Sequence, residues 1–245
     1  MKKIIFVLCV FIAFSVSSVV YGVTITDDFE DYDTGDLIVQ SGGGSNWNGA
    51  WQNGMGGNAS WDCVDETGQQ YGQFASGDDS VIYRKFSQAL NDITTFTFVL
   101  RLETAPSTDA AAGEFTIWSD GDGKAIRLGF YDDGGTLEIR DFVSNNQIRT
   151  VSVSTAYTIT ITNVDFNGDT YGANAGTGVV ACQFANDVNN FIDLGFAINT
   201  NGGVTQIDDI NITGVPEPST YALFGIGLFG LIVGWMRRRA ISRKA

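Results

Sequence analysis

Between residues 23 and 215 the apolar positions recur with a period of two, and no helical periodicity of useful length is present. In residues 94–102, Phe96, Phe98 and Leu100 fall on one face. Similar runs predict strands over residues 80–87, 93–102, 114–118, 126–131, 136–142, 148–153, 157–162, 191–198 and 204–213. Gly, Asn and Asp punctuate them. Asp132-Asp133-Gly134-Gly135 between two runs predicts a hairpin, and Ser119-Asp120-Gly121-Asp122-Gly123 predicts another turn. Many short strands with regular turns predict one all-β domain, a jelly roll or β-sandwich. The region 41–58 is Gly- and Asn-rich, holds Trp47 and Trp51, and reads as a long ordered loop.

The two ends break this pattern. Lys2 and Lys3 precede a run over residues 4–20 that only Ser15, Ser17 and Ser18 interrupt, followed by Val20-Tyr21-Gly22. Basic, apolar, then small is the order of a secretory signal peptide, with cleavage expected after Gly22 by signal peptidase. An uncleaved N-terminal anchor is the other reading. At the far end, Pro216-Glu217-Pro218 predicts an extended, exposed stalk, since closely spaced prolines cannot sit inside a helix. Residues 221–236 carry no charge and predict one C-terminal transmembrane helix, with Tyr221 and Trp235 at the interfaces. The basic cluster over 237–244 marks the cytoplasmic side, as do Lys2 and Lys3. The expected order is therefore a signal peptide over 1–22, a β ectodomain over 23–214 outside the cell membrane, and a tail over 215–245.

Charge sharpens the picture of the ectodomain. Half of the chain's 14 basic residues lie in the two ends, along with Glu217, so the domain keeps 7 basic and 27 acidic residues. A net charge of −20 repels phosphate backbones and excludes nucleic acid as a partner, while attracting divalent cations. There is no histidine, so His-dependent triads and His-ligated metals are excluded. Cys9 belongs to the signal peptide. Cys63 and Cys182 remain, either as a disulfide of an exported domain or as two buried thiols.

The tail, with Pro216-Glu217-Pro218, Ser219-Thr220, a Gly-punctuated apolar stretch and an arginine cluster, resembles the PEP-CTERM sorting signal. That resemblance implies recognition by an exosortase, processing near the Pro-Glu-Pro motif, residence at the cell surface or in the extracellular matrix, and a link to exopolysaccharide and biofilm. The opening Asp27-Asp28-Phe29-Glu30-Asp31 and the closing Ile207-Asp208-Asp209-Ile210-Asn211-Ile212 resemble the concanavalin A-like lectin/glucanase and carbohydrate-binding-module jelly rolls. First and last strands commonly neighbour each other in such folds. The resemblance implies a structural calcium held by Glu30 and Asp209, with Asp28 and Asp208 as further carboxylates, an oxygen set suited to that ion. In an alternating strand Asp208 and Asp209 point to opposite faces, so one of the two binds. The bland reading is a set of solvated strand-edge charges. Asp165-Phe166-Asn167-Gly168-Asp169 lacks the closing Glu of a calcium loop and reads as a turn.

Trp47 and Trp51, with Trp61, Tyr71 and Tyr83, are aromatic groups able to stack on pyranose faces, and Trp47 and Trp51 lie in the loop where binding residues often sit. The competing reading is core packing. For catalysis, a glycosidase needs two carboxylates across a cleft, but the clustered Glu/Asp strand of laminarinase-like glucanases is missing. The sequence therefore predicts a non-catalytic exported protein that binds polysaccharide. The alternatives are a glucanase-like glycoside hydrolase with an Asp/Glu pair and a ligand-free structural matrix protein.

Overall fold

A computed structural model of the chain describes residues 22–38, 40, 43–54, 61–75, 80–119, 123–198 and 202–216. Residues 1–21 of the expected signal peptide, Glu217, Pro218, the apolar stretch 221–236 and the basic cluster lie outside the described residues. Among the described residues, no helix is long and apolar enough to cross a membrane.

The described chain is all strand and turn, in the order β1 (Val23–Asp27), β2 (Gly35–Asp36), β3 (Gln52–Asn53), β4 (Trp61–Glu66), β5 (Gln69–Ala75), β6 (Ser80–Thr104), β7 (Ala111–Trp118), β8 (Lys124–Asp133), β9 (Thr136–Asp141), β10 (Asn146–Thr150), β11 (Ala156–Asp165), β12 (Thr170–Asn174), β13 (Val180–Gln183), β14 (Phe191–Ile198) and β15 (Val204–Pro216). It is a jelly-roll β-sandwich. The two runs expected at 80–87 and 93–102 are one 25-residue strand, β6. Its first half pairs with β14, from which β7, β8, β9 and β10 continue outward. Its second half pairs with β15 on one side and β11 on the other. The β6–β14 register shifts between Phe191 and Asp193, where β6 leaves one layer for the other. Layer A is thus β10-β9-β8-β7-β14-β6, and layer B is built from β1, β15, the rest of β6, β11, β12 and β13, with β4 and β5 joined to β15.

Inward residues of both layers interdigitate as an aromatic core. Phe98 of layer B stacks on Phe115 of layer A at 4.2 Å, and Trp61 on Phe196 at 5.0 Å. The expected hairpin is the β8–β9 turn, where Asp133 pairs with Thr136. Gly134 and Gly135 both take positive φ there, as a two-residue turn matching strand twist requires. First and last strands are antiparallel neighbours, with Asp27 opposite Ile210. The last strand runs past residue 215, where the tail was expected to begin. Val215 and Pro216 belong to β15, opposite Asp92 and Leu90, because a proline at a strand end forfeits no needed ladder donor.

Candidate functional site

The opening acidic motif does structural work. Asp27 is buried, and its Oδ2 accepts hydrogen bonds from Tyr32 Oη at 2.8 Å and Arg84 Nη1 at 2.7 Å. Arg84 Nε also donates to Gly49 O at 2.9 Å, and Trp51 Nε1 donates to Tyr32 Oη at 3.1 Å. Burial raises the Asp27 carboxyl to about 6, opposed by the neighbouring Arg84 guanidinium and the Tyr32 hydroxyl. Phe29 takes φ 61° and drives its ring into the core, with its N–H held by Asp27 Oδ1. The network clamps the loop over residues 43–51 to the sheet.

That clamp decides the role of the loop tryptophans. Trp51 is fully buried, 5.2 Å from the buried Trp61. It cannot stack on a sugar. Trp47 is half-buried, donates to Thr26 O at 2.8 Å, and lies under the Arg84 guanidinium at 4.9 Å and against Phe86. Both expected sugar-binding tryptophans pack the loop instead. Of the two readings of Cys63 and Cys182, the structure takes the buried thiols rather than the disulfide. The thiols are free and buried on separate hairpins, β4–β5 and β12–β13.

The four calcium carboxylates reach the same end of the domain but divide. Glu30 Oε1 accepts from Gln70 N at 3.0 Å. Asp208 is buried, accepting from Gln69 Nε2 and the Asp209 N–H, each at 2.8 Å. Burial raises the Asp208 carboxyl to about 6, with Asp209 and Glu30 adding repulsion. Asp209, at φ 50° on a bulge, is exposed and lines a separate cleft with Asp28. Among the described residues no three carboxylate, Cys or His side chains converge.

The outward face of layer A has a different chemistry. In-register rows run Lys85–Asp193–Trp118–Lys124 and Tyr83–Gly195–Thr116–Arg127, and a third joins Glu114, Gly129 and Arg140. Four of the domain's seven basic side chains, Lys85, Lys124, Arg127 and Arg140, are on these rows. Glu114 is gripped by Arg127 through both oxygens, at 2.5 and 2.7 Å, with Lys124 Nζ at 3.7 Å. Arg140 binds Glu138 and lies over Tyr131 at 4.2 Å. A cleft of about 380 Å³ opens beside these pairs, lined by Asn53, Tyr83, Lys85, Trp118, Ile192 and Asp193. Tyr83 and Trp118 are half-buried. Tyr83 Oη donates to Gln52 at 3.0 Å and Trp118 Nε1 to Thr116 Oγ1 at 2.7 Å, which fixes both rings. Gly195 lies between them, and a Cβ there would stand 2.5 Å from Ile82 O, so the floor stays open. Two fixed rings with ammonium groups beside them can hold a ring-shaped polar ligand.

Trp118 escaped the sequence reading, though its signal was present. In Glu114-Phe115-Thr116-Ile117-Trp118 it shares parity with Glu114 and Thr116, opposite the buried Phe115 and Ile117.

The sequence pattern described as the PEP-CTERM protein-sorting motif matches residues 214–239. The chain carries a PEP-CTERM sorting motif. That motif marks an exported, exosortase-processed protein of the cell envelope. Comparison with curated proteins finds no match. Among solved structures, a sialidase aligns with a TM-score of 0.54 at 11% identity, over 77% of this chain and 18% of its own. The chain thus spans less than a fifth of that sialidase. The cellulose induced protein Cip1 aligns at 0.46 and 14% identity, over 77% of this chain and 96% of its own. A Bacillus licheniformis beta-glucanase aligns at 0.45 and 10%, over 77% and 97%. At these identities the likeness concerns the fold alone.

Proposed function

We propose that the PEP-CTERM protein is a non-catalytic polysaccharide-binding module, sorted through its tail to the cell surface or extracellular matrix, and that sugar docks in the Tyr83–Trp118 cleft. The observation that carries this reading is the pair of fixed, half-exposed rings in a cleft of about 380 Å³, on a face where outward polar side chains are already locked. Sugar C–H faces suit the rings, and Lys85, Asn53 and Asp193 offer hydrogen-bonding groups at the rim. The half-buried setting resembles the usual ligand site, concave with a few placed polar groups. The binding reading is preferred to glycoside hydrolysis because Glu114 and Glu138 are each bound to an arginine, so neither is free to serve as the acid of a carboxylate pair.

The test is affinity electrophoresis or calorimetry against a panel of soluble polysaccharides, with a reducing-sugar assay in parallel. Binding that falls roughly 10-fold or more in Trp118→Ala, with no sugar released, is the expected result. Sugar release that disappears in Glu114→Gln would establish the hydrolase instead. The span over 221–236, holding the domain outside until the exosortase acts at Pro216-Glu217-Pro218, belongs to the same proposal.

A further inference from the structure

The outward face of layer B carries a pattern that the sugar cleft on layer A leaves unused. Five neighbouring strands each present polar residues at alternate positions: Thr24 and Thr26 on β1, Asn211 and Thr213 on β15, Thr95 and Thr97 on β6, Thr158, Thr160 and Thr162 on β11, and Thr170 and Asn174 on β12. Between them lie Ile25, Ile212, Phe96, Ile159 and Ile161, all pointing into the core. Strand pairing aligns these residues into rows. One row runs Thr26–Asn211–Thr97–Thr160–Asn174 across all five strands, and Thr24–Thr213–Thr95 runs beside it. Neighbours in a row are about 4.8 Å apart, and successive outward residues on one strand about 6.7 Å apart. The hydroxyls of Thr97, Thr158 and Thr160 make no hydrogen bond to another described residue. Over the same rows lies a cleft of about 430 Å³, lined by Thr26, Asp28, Thr97, Thr158, Asp209 and Asn211.

We infer that this cleft is a second binding surface, for an uncharged, hydroxyl-rich polysaccharide chain. The chemistry selects that occupant. A threonine hydroxyl both donates and accepts, as a sugar hydroxyl does, and the threonine methyl offers apolar contact to sugar C–H groups. The Asp28 and Asp209 carboxylates accept two hydrogen bonds each and point at the same cleft. The rows hold no basic side chain, and the domain carries −20, so an anionic polymer is repelled. A protein partner would need aromatic or large apolar anchors, which the rows lack. With the layer A cleft on the opposite face, one domain would bridge two polysaccharide chains.

The test uses the full chain in detergent micelles, titrated with a soluble uncharged β-glucan and with polygalacturonate, in a Tyr83→Ala/Trp118→Ala background that removes the first cleft. Uncharged glucan binding persists in that background. Adding Thr97→Val and Thr158→Val, which keep the β-branched shape and delete two hydroxyls of the cleft lining, lowers it roughly 10-fold or more without moving the melting midpoint. Polygalacturonate does not bind there. The inference is overturned if Tyr83→Ala/Trp118→Ala alone abolishes all binding, in which case the first cleft stands as the single site. It is overturned if the valine pair binds as well as its background, or if polygalacturonate competes. Sedimentation showing a dimer that the valine pair dissolves would assign the face to a second copy and overturn it likewise. Should no form bind any glucan, both this surface and the layer A cleft fall.

Discussion

The sandwich keeps its aromatic side chains in two settings. Trp47 and Trp51 lie close together in a glycine-rich loop, which makes them look like a binding loop from the sequence. Tyr83 and Trp118 lie on β6 and β7, joined only through β14. The loop pair is committed to packing, because the buried Asp27–Arg84 ion pair and Tyr32 pull the loop onto the sheet. The strand pair faces outward because the alternation of β6 and β7 places it there. Proximity in sequence thus selected a packing pair, and strand parity selects a pair that faces outward.

Mutations should separate the two settings. Trp51→Ala removes a fully buried indole amid Phe29, Trp61 and Phe196, and should cost about 3–5 kcal/mol. Trp118→Ala should cost less than about 1 kcal/mol of stability while weakening glycan binding. Denaturant titration of both variants checks this. Equal destabilisation would erase the distinction.

Removing one partner of the buried pair should be as severe. Asp27→Ala leaves the Arg84 guanidinium buried at 3% exposure without its carboxylate, a loss of about 3–5 kcal/mol. Replacing both residues, as in Asp27→Asn/Arg84→Met, should recover part of that loss, since the uncompensated charge is gone. If the double variant is less stable than Asp27→Ala, the clamp works by geometry rather than by charge compensation.

Much of this was legible. The period-two alternation identified most strands and the fold class, because one face of each is buried against the other layer. Asp132-Asp133-Gly134-Gly135 located its hairpin, since paired positive φ angles need those glycines. Several of the missed strands, unlike β1 with its Val-Thr-Ile-Thr run, have few β-branched residues. β5, Gln69-Gln70-Tyr71-Gly72-Gln73-Phe74-Ala75, reads as polar sequence but is held by β4 and β15 on its two sides. The site was less legible because it is assembled across strands. No local window contains Tyr83, Trp118 and Asp193, and only the register through β14 joins them. Arg84 misleads further, a charge occupying an inward position that a hydrophobic pattern assigns to the core.

A pH titration tests the buried carboxylates at the two ends of the acidic bracket. Asp27 and Asp208 are both raised by burial, from 3.8 to about 6. A raised carboxyl binds its proton more tightly when folded. Stability is therefore highest at low pH and falls as pH climbs from about 4 to about 6, by at most about 3 kcal/mol per group. The melting midpoint should rise when pH drops from 7 to 5, and Asp208→Asn should flatten that rise. A midpoint that falls over this interval would mean that Asp27 and Asp208 are stabilised as anions rather than as desolvated acids.

The smallest effect belongs to the cysteines. Cys63 lies on β4 opposite Gly72, and Cys182 on β13 opposite Tyr171. Burial pushes the Cys63 thiol up to about 11 and the Cys182 thiol up to about 12, so neither is a ready nucleophile for exchange. A disulfide closing so long a loop would be worth about 2–5 kcal/mol, and losing it would lower Tm by about 5 °C or more. Dithiothreitol should instead leave Tm unchanged, and a maleimide should label both thiols only after denaturation. A reductant-sensitive Tm would require β4 and β13 to approach each other. That would pull the β4–β5 hairpin away from β15 and expose Trp61 and Phe74, the same aromatic core on which the buried loop tryptophan depends.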